Sequence, residues 1–233
     1  MVKKILIAVL LLPAILAGGT GCMSILSQAK EPHIHDLALS YMEDKYGETF
    51  HFESLWGNSM TGTKQILVSC ASFPDEMILV QIENYSNKDR IFSDNYLAVK
   101  YKEETLKFFE SCGAKVFKDT NIFYEISKYA QSADLPPDAS FEVMLADKSA
   151  EMIVLIEVSA SNYSTEQQIE EITSLISDYC NNVSLTVLVV EDTVYGTLDR
   201  KQLGKLISHR DFISCAVIDI ECGEVDTYWP GRE

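Results

Sequence analysis

The strongest constraint on the fold lies in the second half of the chain, where apolar runs suited to buried strands alternate with segments of helical periodicity. Residues 152–159, 183–190 and 213–220 are the runs. Between the first two, Ile169, Ile172, Leu175, Ile176 and Tyr179 fall on one helical face, and Ser164 with Gln167 three residues on has the form of a capping box. Between the last two, Asp199 with Gln202 opens another helix. The order strand, helix, strand, helix, strand implies right-handed crossovers and a locally parallel sheet covered by helices. Residues 141–146 read as a further strand. A turn at Cys222 and Gly223 sends residues 225–229 back as an edge strand.

The first half has a different pattern. Apolar residues Ile34, Leu37, Ala38, Tyr41 and Met42 recur at helical spacing after Pro32, and Gly47 is placed to stop the helix. Three β-like runs follow at 49–56, 64–71 and 77–83, and Ser93 and Asp94 can cap a second helix over 95–111 that Gly113 closes. Residues 121–133 read as helix, and Pro136 with Pro137 marks the clearest break. The expected class is α+β in two small units. An N-terminal helix with a three-strand antiparallel meander occupies 32–118, and a mixed sheet with helical crossovers occupies 121–233.

The N-terminus has three parts: Lys3 and Lys4, an apolar run over 5–17, and the small residues Gly18 to Gly21. This is a secretory leader over 1–21, and its run is shorter than the roughly 20 residues that span a bilayer. Cys22 follows directly, so the segment resembles a bacterial lipoprotein leader, although Gly19 stands where such leaders carry Leu, Val or Ile. A lipid on Cys22 would hold the chain to the outer face of the membrane, with residues 22–31 as a tether. The alternative is ordinary secretion after cleavage near residues 17–21.

Loss of the leader removes Lys3 and Lys4 and no acid, leaving 17 Lys and Arg against 35 Asp and Glu, a net charge of −18. That balance argues against nucleic acid and anionic headgroups as partners and favours a cationic or neutral one. Lipidation of Cys22 leaves Cys70, Cys112, Cys180, Cys215 and Cys222, an odd number that cannot all pair. Cys215 and Cys222 could close a terminal hairpin. The spacing fits no zinc site, and no cofactor or metal motif appears.

The string Tyr41-Met42-Glu43-Asp44-Lys45-Tyr46-Gly47-Glu48-Thr49-Phe50, followed later by Ser93-Asp94-Asn95-Tyr96-Leu97, resembles uncharacterised lipoproteins of Gram-positive gut bacteria, clostridia above all. The resemblance covers roughly the first half of the mature chain. It implies a surface lipoprotein and brings no activity with it.

No residues form a catalytic motif. His33 and His35 beside Glu31 and Asp36 could hold a metal only in an extended segment, since on a helix they point to different sides. The glycines of 57–64 lie in a hairpin loop without the helix a phosphate site needs. One sharper arrangement remains. If the three apolar strands are parallel, their C-terminal ends gather Ser159, Ser161, Asn162, Glu191, Asp192 and Glu221 at the sheet edge that ligands of α/β sheets favour. Such oxygens suit Ca²⁺, but Glu191 and Asp192 are consecutive and point apart, so no tight site is expected. A non-catalytic binding or adaptor module is the preferred reading. A surface hydrolase or cation-dependent enzyme at that edge is the alternative. Trp56, Tyr228 and Trp229 are the aromatics placed to form a binding patch.

Overall fold

A computed structural model describes residues 33–58, 62–85, 89–127 and 135–230. The leader, Cys22, the tether and Pro32 lie outside the described residues. The chain divides into two compact units, Met1–Leu37 and Ala38–Glu233, and all tertiary packing below belongs to the second. In the first, the His33 and His35 rings lie stacked, 5.3 Å between centroids, rather than on different sides, because His33 precedes the helix.

The fold is α+β with two sheets. Helix α1 (Ile34–Tyr46) ends where the Gly47 N–H meets the Glu43 carbonyl. Strands β1 (Phe50–Asn58), β2 (Lys64–Cys70), β3 (Ile78–Glu83) and β4 (Ile91–Asp94) form an antiparallel meander in that order. The fourth strand takes up Ser93 and Asp94, which the sequence assigned to a helix cap. The helix expected over 95–111 is two: α2 (Tyr96–Lys100) and α3 (Lys102–Val116), broken at Tyr101. Gly113 does not end α3. A Cβ there would stand 2.9 Å from Thr120 Oγ1 and 3.2 Å from Ile122 Cδ1, so the bare glycine lets the next strand approach.

That strand is β5 (Asn121–Ile126), where helix was expected over 121–133; residues 128–133 are outside the described set. It pairs antiparallel with β6 (Met152–Ser159), and the ladder decides a segment whose apolar spacing suited either structure. The run expected as a strand at 141–146 is instead a short helix, α4 (Phe141–Leu145), begun by Ser140 accepting the Val143 N–H. Helix α5 (Gln167–Ser177) starts later than the sequence suggested, and Gln168, not Gln167, takes the N–H groups of Ser164 and Thr165. It leads to β7 (Asn182–Val190), parallel to β6. The capping box of Asp199 and Gln202 opens α6 (Arg200–His209) as expected.

Strand β8 (Ser214–Glu221) runs antiparallel to β7, against the expected parallel order. The Ile213 N–H bonds the Val189 carbonyl, so the excursion through α6 returns the chain to the end of β7 it left. Cys222 and Gly223, at φ 52° and 84°, then make the two-residue turn to β9 (Glu224–Tyr228), an edge strand. The second sheet therefore has the order β5-β6-β7-β8-β9. On one face α3 packs on β5 and α5, and α5 on β8. On the other, Leu155, Leu188, Val190 and Cys215 form a core under Leu203 of α6.

The last hairpin sets acids against acids. Asp219 lies opposite Asp226, and Glu221 opposite Glu224. Like charges directly across a ladder destabilise it. Asp226→Lys is expected to raise the thermal midpoint by about 1–3 °C, with a smaller gain in high salt. Differential scanning fluorimetry would decide it, and a lower midpoint would contradict the ladder.

Candidate functional site

The two motifs that carry the lipoprotein resemblance meet inside the molecule. Asp94, 1% exposed at the end of β4, accepts the Tyr41 hydroxyl at 2.7 Å, the Lys45 ammonium at 2.8 Å, the Tyr46 hydroxyl at 2.7 Å and the Tyr96 N–H at 3.0 Å. Tyr41 and Lys45 are four apart on α1, which puts them on one face. The Tyr46 and Tyr96 rings stack at 3.9 Å, and the Tyr96 hydroxyl donates to Glu48 at 2.5 Å, which also takes the Ser72 hydroxyl at 2.7 Å. Burial first, then the Asp94 charge and hydrogen bonds, pushes the Tyr41 and Tyr46 hydroxyls far above their usual range. Both phenols therefore stay protonated and donate inward to Asp94.

The predicted sheet edge is partly assembled. Ser159 and Val190 are neighbours in the parallel ladder, and beyond them the Ser161 N–H donates to Asp192 Oδ1 at 3.0 Å. The Ser159 and Ser161 hydroxyls lie 3.2 Å apart. The Glu191 carbonyl accepts the N–H groups of Val194 and Tyr195, and the Asn162 carbonyl accepts Gln168 Nε2. These bonds shape the two loops. Glu221 is not among them: the reversal of β8 puts it opposite Asn182, at the far end of the sheet. Among the described residues no three His, Cys, Asp or Glu gather where a metal could bind.

Sequence reasoning passed over Glu157. It is the lone acid in the apolar run of β6 and is fully buried. Its carboxylate accepts Asn121 Nδ2 at 3.0 Å and the Gly196 N–H at 3.3 Å. Gly196 stands at φ 68°, a conformation a side chain rarely adopts, and so aims its N–H inward from the loop between β7 and α6. Beside it, burial and then the Asp119 carboxylate push the Tyr195 phenol up to about 12. A charge in the middle of a buried strand has to be paired, and that rule was the available signal.

The five described cysteines are all free, including Cys215 and Cys222, which the sequence allowed to pair. Cys215 sits in the core under α6 and Cys222 on the exposed turn at the other end of β8. Burial pushes the Cys215 thiol up to about 11 and Cys180 up to about 12. Cys70 and Cys112 are also raised by burial. In a Cys22→Ala protein, Ellman's reagent is therefore expected to titrate Cys222 alone until the fold is lost. Rapid labelling that persists in Cys222→Ser would refute this.

An open surface with the shape of a binding site lies between α5 and β9. A groove of about 420 Å³ runs there. One wall is Ile169 with the polar stripe Glu166, Glu170, Thr173, Ser174 and Ser177, spaced to share a helix face, and the other is Val225, Thr227 and Trp229, spaced to share a strand face. A second recess of about 200 Å³ lies beside Glu191, against Leu206 and Arg210. The other exposed aromatic edge is β1, where Trp56 is 59% exposed, but two register shifts after Phe52 and Leu55 break that strand's regularity. Strand β9 has an unbroken register with β8.

No family model matches the chain, and no curated protein matches it. Among solved structures, the chain is similar to a DUF5037 family protein from Ruminococcus gnavus ATCC 29149, at 12% sequence identity and a TM-score of 0.38, over 83% of this chain and 94% of that one.

Proposed function

We propose that this chain is an exported lipoprotein, anchored to the outer face of the membrane through Cys22, whose body is a non-catalytic binding module. The groove between α5 and β9 carries the binding part of that reading. It is the larger of the two recesses described, it joins the apolar Val225 and Trp229 to a polar helix stripe, and it borders the outermost strand of its sheet. The leader ending in Gly19-Thr20-Gly21, with Cys22 directly after it, carries the anchoring part. Two acyl chains on that cysteine would make attachment lasting, since each buried methylene contributes about 0.8 kcal/mol.

Each half has its own test. Cells fed a labelled fatty acid should label the wild type and leave Cys22→Ala unlabelled and shed into the medium. Label that persists in the variant removes the anchor. For the groove, 2-naphthol, a neutral aromatic probe, should shift the backbone amides of Ile169, Thr173, Ser177, Val225 and Thr227 in the full chain. Ser174→Trp, which fills the groove, should abolish those shifts. Shifts scattered over the surface, or none, would end the binding reading.

A further inference from the structure

We infer that the groove receives a basic, extended polypeptide segment, which adds to β9 as a sixth strand of the second sheet. The inference rests on the binding-module reading and names its partner class.

The backbone of β9 supplies the first reason. Glu221 and Glu224 flank a two-residue turn and therefore form a hydrogen-bonded pair, so pairing toward β8 alternates along Glu224, Asp226 and Tyr228. Val225 and Thr227 direct their N–H and C=O groups outward. Among the described residues β9 has a strand on one side alone. The outward groups are the template for another strand. The side chains of the same two residues, with Trp229, line the groove, so inward side chains of an added strand would enter the space α5 leaves open.

Charge selects the occupant. No lysine or arginine occurs from residue 149 to 199, or from 211 to 231, so β6, α5, β7, β8 and β9 contain no cation. Inward side chains of a sixth strand would enter the groove, and a Lys or Arg there would meet the Glu170 carboxylate on its helix wall. Outward side chains would lie beside Glu224 and Asp226, which face Glu221 and Asp219 across the hairpin, and a cation there relieves that repulsion. Both faces of the added strand thus favour basic residues. A second copy paired antiparallel about Asp226, the centre of β9, is disfavoured, since that register sets the carboxylate opposite its own copy.

The test uses the full chain with Trp56→Phe, which leaves Trp229 as the lone indole of the two in the sequence. Three short peptides are titrated: alternating Lys-Val, the Glu-Val counterpart, and Lys-Val with alternate valines replaced by proline, which keeps charge and removes strand hydrogen bonds. The Lys-Val peptide should change Trp229 fluorescence and shift the Val225 and Thr227 amides. The proline form should bind about tenfold more weakly or worse, and the Glu-Val form not detectably. Glu170→Lys should weaken the Lys-Val peptide while its own spectrum stays folded. Equal binding by the proline form would reduce the effect to charge attraction and overturn the inference, as would equal binding by Glu-Val or silent β9 amides. If naphthol still occupies the groove in that event, the binding module stands and only the partner class falls.

Discussion

Asp94→Ala is expected to cost about 3–5 kcal/mol, a large share of a typical stability of about 5–15 kcal/mol. The variant removes the carboxylate that two tyrosine hydroxyls and the Lys45 ammonium, whose side chain is 13% exposed, share, and leaves the ammonium its bond to the Tyr41 hydroxyl oxygen. Removing one partner of a buried pair strands the other, which is dearer than losing the attraction itself. Lys45→Met should cost less, because Asp94 keeps both phenols and the Tyr96 N–H. Urea unfolding of the two variants gives the comparison, and a Lys45→Met loss equal to that of Asp94→Ala would contradict the network. A pH series adds a second check. The Tyr41 and Tyr46 pKa values are raised on folding, so the unfolded chain ionises them first and stability falls as pH rises past 10. Asp94 is one cause of the shift after burial, so in Asp94→Ala the fall should begin at the same pH with the same slope and end at a lower pH.

Glu157→Leu is the second large effect, at about 2–4 kcal/mol. Leucine suits the strand but gives Asn121 Nδ2 and the Gly196 N–H nothing to donate to. Glutamine keeps an acceptor and should cost less. The loss should also be local. Amide exchange at Gly196 and its loop should accelerate in Glu157→Leu well before the core of β6 and β7 is affected. Uniform acceleration would mean that the carboxylate does not pin this loop.

The legible parts of the fold were those that local chemistry decides alone. The Asp199 and Gln202 box, the stop at Gly47 and the turn at Cys222 and Gly223 are set within a few residues, and each stands where the sequence put it. Residues 121–126 were misread because Ile122, Phe123 and Ile126 fit either period, and only the ladder to β6 chooses strand. The direction of β8 was illegible for a related reason. Strand, helix, strand fixes the crossover only when the second strand is parallel, and here the loops around α6 bring the chain back to Val189. That one reversal removed Glu221 from the edge that Ser161 and Asp192 do share. Of the aromatics that the sequence offered for a binding patch, Trp229 lines the groove and Tyr228 and Trp56 do not. The groove's helix wall depends on α5 packing on the face of the sheet next to β9, which no local signal in the sequence sets.

The Lys45–Asp94 pair also bears on how such a chain can change over generations. Replacing both residues together with apolar ones that fill the same space is often neutral or favourable, whereas either replacement alone is costly. A lineage moving one substitution at a time meets the deeper loss if Asp94 changes first and the shallower one if Lys45 does. Residues 49 positions apart on the chain are thereby bound to a common fate. The order of the two changes therefore matters, even where the ion pair contributes little to net stability.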